Sequence, residues 1–210
     1  MLKILIADDH AIVRRGIKDI LAEEFAAAEF GEAGSAPQVV DLARRQEWDI
    51  VILDITLPGR SGLEVLKDLK HEHPKLPVLI LSMHSEDQFA IRTLRAGAAG
   101  YLTKENAPEE LVKAIKKVLD GEKYVSSAFA ERLIAALATH SEKLLHESLS
   151  DREYQVMYLI ASGKAAKEIA TELSLSAKTI STYRARILEK MRMQTNAELI
   201  HYAISNHLVD

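Results

Sequence analysis

The sequence predicts an α/β fold followed by a small all-α domain, on the basis of two observations. In residues 1–120, five short apolar runs alternate with amphipathic stretches of helical length, which is the pattern of consecutive βα units in a doubly wound parallel sheet. In residues 149–210, apolar residues recur only with the period of an α-helix. Residues 121–148 lie between these parts, and we expect them to form a linker that is partly helical.

The strands of the first domain are predicted from its short apolar runs. The runs around Ile4, Ile52 and Leu79 are continuously apolar and rich in Ile, Val and Leu, which is typical of parallel strands that are buried on both faces. The predicted strands are residues 2–7, 27–33, 50–54, 78–82 and 100–103. The helices that follow them are predicted at residues 11–24, 36–46, 62–72, 86–97 and 108–120.

The remaining helices are predicted from periodicity and from capping residues. Residues 126–140 could form one amphipathic helix, and the polar stretch 139–148 resembles a solvated linker. Ser150 and Glu153 stand at the spacing of a capping box, and Gly163 ends the helix that they begin. The helices of the second domain are therefore expected at residues 150–162, 166–173, 176–191 and 196–207.

The composition limits the classes of function. The chain has 210 residues, of which 48% are hydrophobic, so each domain can form a core. It has no cysteine, which excludes a disulfide framework and a thiolate zinc site and agrees with a reducing cytoplasm. No apolar stretch reaches the length of about 18 residues that a membrane span requires. We therefore expect a cytoplasmic protein with no membrane partner.

Charge is distributed unevenly along the chain. The net charge of −4 argues against a protein that coats nucleic acid along its whole surface. Residues 150–210 nevertheless hold eight Lys and Arg against seven Asp and Glu, and residues 176–192 hold five of those cations against a single acid, Glu189. One segment of helical length is thus electropositive in an otherwise acidic protein.

Polar residues stand at the predicted strand ends. Asp8 and Asp9 end the first strand, Asp54 ends the third, Ser82 ends the fourth, and Lys104 follows the fifth. Because the carboxyl ends of parallel strands meet at one edge of the sheet, we expect these side chains to lie together. Clustered carboxylates repel one another unless a cation offsets their charge. Mg²⁺ suits such oxygen ligands and leaves room for water and a phosphoryl group.

This set of residues suggests phosphoryl transfer. Asp54 could attack phosphorus as a nucleophile, with Mg²⁺ and Lys104 offsetting charge on the phosphoryl oxygens and Ser82 donating a hydrogen bond to one of them. A phosphatase of the haloacid dehalogenase type also uses a strand-end aspartate and Mg²⁺, but it usually needs a second aspartate where this chain has Thr56. His10 and the histidines of residues 71–73 could also bind a metal, although surface positions are the expected interpretation.

The first domain resembles CheY-like receiver domains, which have a flavodoxin-like fold. The resemblance implies that Asp54 accepts a phosphoryl group from a sensor histidine kinase. It also implies a Mg²⁺ site formed by Asp9, Asp54 and the backbone carbonyl of Thr56, with Asp8 acting partly through water. The segments that carry the resemblance are residues 6–10, 52–59, 81–82 and 97–104.

The same resemblance implies two further features. Ser82 and Lys104 would assist the reaction at Asp54, and Ser82 would form with Tyr101 the switch that reports phosphorylation. The sequence departs from the pattern after Lys104, since Glu105 stands where many receivers have proline and a cis peptide bond. A cis bond before Glu105 would cost about 3 kcal/mol, so the geometry at this place is left open.

The second domain has the pattern of a helix-turn-helix. A short predicted helix is joined by a tight turn to a basic one at residues 176–191, as the motif requires. One face of the basic helix is apolar, with Ile180, Ile187, Leu188 and Met191 at helical spacing. A small helical bundle with a solvated basic face would show the same periodicity.

The order and spacing of its motifs resemble the LuxR-type DNA-binding domain of the NarL/FixJ regulators. The matching segments are residues 149–153, 167–170, 175–184 and 197–199. Two departures stand out. Residues 165–166 are alanine where the family usually has a polar cap, which predicts a loss of about 1 kcal/mol of capping, and Ser181 and Ala185 stand where some relatives carry lysine. The residues expected to contact DNA are Lys178, Thr179, Ser181, Thr182, Tyr183, Arg184, Arg186 and Lys190.

The two resemblances together predict a two-component response regulator. A histidine kinase would phosphorylate Asp54, and the protein would bind double-stranded DNA at promoters as a homodimer and regulate transcription. It is not expected to be an enzyme, beyond promoting its own aspartyl phosphorylation and dephosphorylation. The alternative is a module switched by phosphorylation that acts through protein contacts without binding DNA.

Overall fold

The structure is a computed structural model that describes residues 1–58, 60–138, 144–206 and 208–209. The chain divides into two compact units, Met1–Glu131 and Arg132–Asp210. Among the described residues, no helix has both the length and the apolar character needed to span a membrane. The first unit continues past residue 120, so it includes the first residues of the predicted linker.

The described residues of the first unit form a parallel sheet with the strand order β2-β1-β3-β4-β5. Ile52 at the centre of the sheet is paired with Ile6 on one side and Leu79 on the other. Every residue of β3 and β4 is buried, as their continuous apolar sequences predict. The five-stranded parallel sheet is thus confirmed. The strands are β1 (Lys3–Ala7), β2 (Glu29–Ala33), β3 (Ile50–Asp54), β4 (Val78–Ser82) and β5 (Gly100–Thr103).

Helices flank this sheet, and their apolar faces complete the core. Leu111 and Ile115 pack with Ile4 and Ile6 in one buried cluster. Ser61 forms a capping box with Glu64 that starts the third helix just beyond β3. The helices are α1 (Ala11–Glu24), α2 (Ala36–Arg45), α3 (Gly62–Glu72), α4 (Glu86–Arg95) and α5 (Ala107–Leu119).

The segment after α5 extends the sheet of the first unit. Tyr124 accepts a hydrogen bond from the backbone of Tyr101 and donates one to Ala99. Gly100 is required here, because a Cβ at this position would lie 2.6 Å from the Tyr124 carbonyl oxygen. The next helix, α6 (Ser127–Ala138), matches the predicted helix at 126–140 up to residue 138. Residues 139–143 of the predicted linker lie outside the described residues, and Leu145–Ser148 is a short 3₁₀ helix.

The second unit contains the predicted helical bundle. Its core includes Ile169, Ile180, Ile187 and Leu199, all nearly fully buried. The buried guanidinium of Arg152 donates to the Leu173 carbonyl at 3.1 Å, which ties the first helix of the bundle to the end of the second. The helices are α7 (Asp151–Ala161), α8 (Ala166–Glu172), α9 (Ala177–Lys190) and α10 (Asn196–Ser205), each within two residues of the predicted ends.

Candidate functional site

Two carboxylates and one ammonium group meet at the carboxyl edge of the sheet. Asp54 ends β3 and Asp8 directly follows β1, and both are almost fully buried, with 3% and 1% of their surface exposed. Lys104 Nζ lies 2.8 Å from Asp54 Oδ2 and 2.5 Å from Asp8 Oδ2. The structure therefore brings Asp8, Asp54 and Lys104 together, as their positions at the strand ends predict.

The charges of this group depend on one another. Burial favours the neutral amine of Lys104, but the two aspartates outweigh it and raise the pKa of Lys104 above its usual value. Burial raises the pKa of Asp54 to about 6, although Lys104 and the Thr56 N–H oppose this effect. At neutral pH, Asp54 is therefore mainly a carboxylate, the form that can act as a nucleophile.

The two acids that follow β1 differ in exposure. Asp9 is more exposed than Asp8, and its Oδ1 lies 2.8 Å from Nδ1 of the exposed His10. One ligand atom each from Asp8, Asp9 and His10 lies within 4.8 Å of the others. His10 is therefore exposed, as expected for a surface histidine, and its ring lies beside Asp8 and Asp9.

The donor atoms of this edge fit a hard divalent cation. Asp8 Oδ2 is buried and contacts the Lys104 ammonium at 2.5 Å. Thr56 lies two residues beyond Asp54 and donates its N–H to Asp54 Oδ1 at 3.1 Å. Carboxylate oxygens with unused acceptor capacity are the ligands that Mg²⁺ prefers.

Gly62 contributes to this site, although the sequence analysis did not identify it. A Cβ on Gly62 would lie 2.0 Å from the backbone oxygen of Asp54, a distance that no real contact allows. Its N–H also donates to the Ile55 carbonyl at 2.7 Å. The start of α3 thus packs directly against the end of β3. The only signal in the sequence was a glycine at the first position of a predicted helix.

The two predicted switch residues are joined through a third. Ser82 and Tyr101 are both fully buried. The Ser82 hydroxyl accepts from the His84 N–H at 3.1 Å, and the Tyr101 hydroxyl donates to the His84 carbonyl at 2.9 Å. The backbone of His84 therefore links the end of β4 to β5. After Lys104 the chain turns without a cis bond, since every peptide bond between described residues is trans.

The basic helix α9 begins at a side-chain cap and presents a polar face. Ser176 Oγ accepts from the Thr179 N–H at 3.0 Å. Of the predicted DNA contacts, Thr179 and Tyr183 are half-buried and the others are exposed. A shallow groove of about 320 Å³ runs along this face. Its lining residues are Ser176, Lys178, Thr179, Thr182, Tyr183 and Arg186.

Two of the predicted DNA contacts also have partners within their own unit. Lys190 Nζ donates to the buried Glu153 Oε2 at 2.6 Å. Arg184 Nε donates to Asn196 Oδ1 at 2.6 Å. Burial alone would raise the pKa of Glu153, but hydrogen bonds from Lys190 and from Ser150 hold it below its usual value. The predicted set thus includes residues that line the groove and two residues, Arg184 and Lys190, that are hydrogen-bonded within their own unit.

The predicted weak cap of α8 is present in the structure. Ala165 occupies the N-cap position and offers no side-chain acceptor, while Glu168 Oε2 accepts from the Ala165 N–H at 2.7 Å. Of the two hydrogen bonds of a capping box, only the one from the N-cap N–H to the Glu168 side chain is therefore formed.

Replacing Ala165 by Ser is expected to raise the free energy of unfolding of the second unit by about 1 kcal/mol, because the hydroxyl can accept the Glu168 N–H. Urea denaturation followed by circular dichroism would measure the change. The fluorescence transition of Trp48, the single tryptophan, reports the first unit and should not move. Ala166→Ser is the matched control, since its hydroxyl lies one position past the cap, and an equal gain from it would contradict the capping explanation.

Comparison with known families covers both units. The response regulator receiver domain family matches residues 4–116. The bacterial regulatory proteins of the luxR family match residues 147–203. The response regulator GacA of Pseudomonas aeruginosa is 36% identical over 211 residues, covering 100% of this chain and 99% of its own.

Solved structures of RcsB from Salmonella enterica serovar Typhimurium and of RcsB dimers are similar over nearly the whole chain. RcsB bound to the promoter rprA in the presence of the phosphomimetic BeF3⁻ is 26% identical with a TM-score of 0.65, covering 98% of this chain and 100% of that one. Two RcsB dimers bound to two parallel DNAs give 26% identity and a TM-score of 0.60, covering 97% and 98%. This chain therefore belongs to the NarL/FixJ-family response regulators, DNA-binding regulators of transcription with a receiver domain followed by a LuxR-type helix-turn-helix domain.

Proposed function

We propose that a sensor histidine kinase phosphorylates Asp54 and that this modification raises the affinity of the protein for promoter DNA. The observation that carries the proposal is the buried Asp54 carboxylate at the carboxyl edge of the sheet, 2.8 Å from the Lys104 ammonium and next to Asp8. Such a carboxylate is costly to bury, and its pairing with Lys104 offsets only part of that cost. A reaction at this edge would account for its position.

In this reaction, an oxygen of Asp54 forms a bond to phosphorus while the bond from phosphorus to the histidine nitrogen of the kinase breaks. The released nitrogen takes up a proton. Lys104 lies where its charge offsets that of the incoming phosphoryl oxygens, and the Ser82 hydroxyl can donate a hydrogen bond to one of them. Asp8, Asp9, Asp54 and the backbone carbonyl of Thr56 would hold Mg²⁺. When bound, Mg²⁺ would supply charge neutralisation at the phosphoryl group.

The hydrogen bonds of His84 support a role for Ser82 and Tyr101 as the switch. If Ser82 turns toward a phosphoryl oxygen, its bond with the His84 N–H must adjust, and the Tyr101 hydroxyl follows the His84 carbonyl. A change at Asp54 can thus reach β5 through two hydrogen bonds and one peptide segment.

The second unit would bind DNA with α9 in the major groove. Lys178 and Arg186, which line the groove on the protein surface at α9, would neutralise phosphates. The exposed Ser181 and Thr182 are small enough to approach base edges. The RcsB dimers on DNA support a homodimer here as well.

The proposed domain organisation is a receiver domain at 1–120, a linker at 121–148 and a DNA-binding domain at 149–210. Because it acts on promoters, the protein would work in the bacterial cytoplasm.

The test is DNA footprinting on genomic fragments with phosphorylated and unphosphorylated protein. The phosphoprotein is expected to protect specific sites at a concentration about 10-fold lower, because a dimer places two helices on adjacent half-sites. If the phosphoprotein binds no fragment even at low salt, the alternative function is supported, in which the protein is switched by phosphorylation and acts through protein contacts without binding DNA. Sustained turnover of phosphate esters would favour the phosphatase.

A further inference from the structure

The backbone of Asp8 is held from two sides where the chain leaves the sheet. Its N–H donates to the Ala33 carbonyl on β2 at 3.0 Å, as a continuation of the strand pairing. Its carbonyl oxygen accepts from a side chain, Arg14 Nη1 on α1, at 2.7 Å. The guanidinium of Arg14 thus donates the hydrogen bond that the backbone of a neighbouring strand would donate within a sheet.

Arg14 is itself fixed in position. Its side chain is only 17% exposed, and its Nε donates to Glu32 Oε2 on β2 at 3.2 Å. Lys18, one turn further along α1, approaches the other oxygen of Glu32 at 3.7 Å. Two cations therefore share Glu32, but of the two only Arg14 is seen to reach the backbone of Asp8.

The clamped carbonyl belongs to the peptide that joins Asp8 to Asp9. Because a peptide group is planar, fixing its carbonyl oxygen fixes the orientation of the whole unit from which both side chains branch. Asp8 Oδ1 also accepts the His10 N–H at 2.8 Å, which holds the next turn of the chain against the same residue. Arg14 is thus bonded to the peptide group that joins the two acids at the sheet edge.

We propose that Arg14 is a positioning residue for the Asp8–Asp9 pair and holds it in the geometry that binds a divalent cation. The inference rests on the proposed function, since it needs the metal site at this edge. Its effect has a distinctive sign. If Arg14 acted only as a nearby positive charge, its removal would strengthen Mg²⁺ binding by reducing repulsion. If it positions the acids, its removal weakens Mg²⁺ binding.

The experiment measures the Mg²⁺ dissociation constant of the unphosphorylated full-length protein by isothermal titration calorimetry. Arg14→Gln is expected to raise this constant about 10-fold, the usual effect of losing a group that orients metal ligands. Arg14→Lys keeps one donor and should recover part of the affinity. Lys18→Gln removes a charge from the same helix and the same partner without touching Asp8, so it is the matched control and should bind like the parent.

A second readout separates positioning from loss of the fold. The Mg²⁺ concentration that gives half the maximal rate of phosphoryl uptake should rise in Arg14→Gln, while the rate at saturating Mg²⁺ stays close to that of the parent. The thermal transition of each variant shows whether it is folded. If Arg14→Gln does not fold, the same shift of smaller size is expected in Arg14→Lys.

The proposal would be overturned if Arg14→Gln bound Mg²⁺ as tightly as the parent or more tightly. It would also be overturned if Lys18→Gln lost as much Mg²⁺ affinity as Arg14→Gln. If only Arg14→Lys folds, parental Mg²⁺ affinity in that variant would overturn it. Failure of the proposed function looks different. In that case the parent itself would bind no Mg²⁺, or Asp9→Ala would bind it as tightly as the parent does.

Discussion

Replacing Asp54 by Asn is expected to abolish phosphoryl uptake, with a loss of at least about 100-fold, because a carboxamide is not a nucleophile toward phosphorus. The substitution keeps the shape of the side chain. The amide oxygen can still accept from the Thr56 N–H, but the amide nitrogen replaces the oxygen that now accepts from Lys104, and the lysine keeps its contact with Asp8. Mass spectrometry of the intact protein after incubation with acetyl phosphate and Mg²⁺, or with a cognate kinase, measures the incorporated group.

Asp49→Asn is the matched control for this experiment. Asp49 lies directly before β3, at the opposite end of the strand from Asp54, and its Oδ2 accepts from the backbone N–H of Lys3 at 2.7 Å. The same chemical change on the same strand should therefore leave phosphoryl uptake at the parental level. Equal labelling of Asp54→Asn and the parent would place the acceptor elsewhere in the chain.

Replacing Lys178 and Arg186 together by Ala is expected to weaken DNA binding by about 10- to 100-fold at moderate salt. Both residues line the groove on α9 and both are exposed. If each neutralises one phosphate, the dependence of log affinity on log salt should flatten by about one for each residue lost. Binding of a labelled promoter fragment, measured at several salt concentrations, gives both quantities.

Lys190→Ala removes one positive charge from the same helix and separates DNA contact from stability. Lys190 is paired with the buried Glu153, so its loss should leave the salt dependence close to that of the parent. It should instead lower the free energy of unfolding by about 1 kcal/mol, a modest cost because the lysine side chain is 42% exposed and screened by solvent. Unchanged DNA affinity and salt dependence in the Lys178 and Arg186 variant would contradict the role of α9.

The stability effect of Lys190 has a predictable pH dependence. Because the pKa of Glu153 is lowered in the folded protein, its pairing contributes stability above the pKa of the unfolded chain. That contribution is lost as the pH falls through the folded pKa. The difference in stability between the parent and Lys190→Ala should therefore shrink under acidic conditions, which urea denaturation at several pH values can measure.

The order of the elements and much of the site can be predicted from the sequence alone. The ends of β3, β4 and β5 coincide with the predicted residues, because a strand buried on both faces needs an unbroken apolar run that stops where polar groups reach the edge. Asp8, Asp54 and Lys104 could be placed together for the same reason, since parallel strands present their carboxyl ends at one edge. β2 starts two residues later than predicted, and its residues are mostly half-buried at the margin of the sheet.

The polar side chains that are held by partners distant in the sequence are visible only in the folded chain. The predicted DNA contact of Lys190 rests on its helix alone, whereas its pairing with Glu153 on another helix appears only in the folded chain. Arg14 was not identified, because its bond to the Asp8 carbonyl depends on how α1 packs against the end of β1. Gly62 became informative only when α3 was seen against Asp54. Local patterns determine which face of an element is buried, whereas the angles and distances between packed elements determine which polar atoms meet.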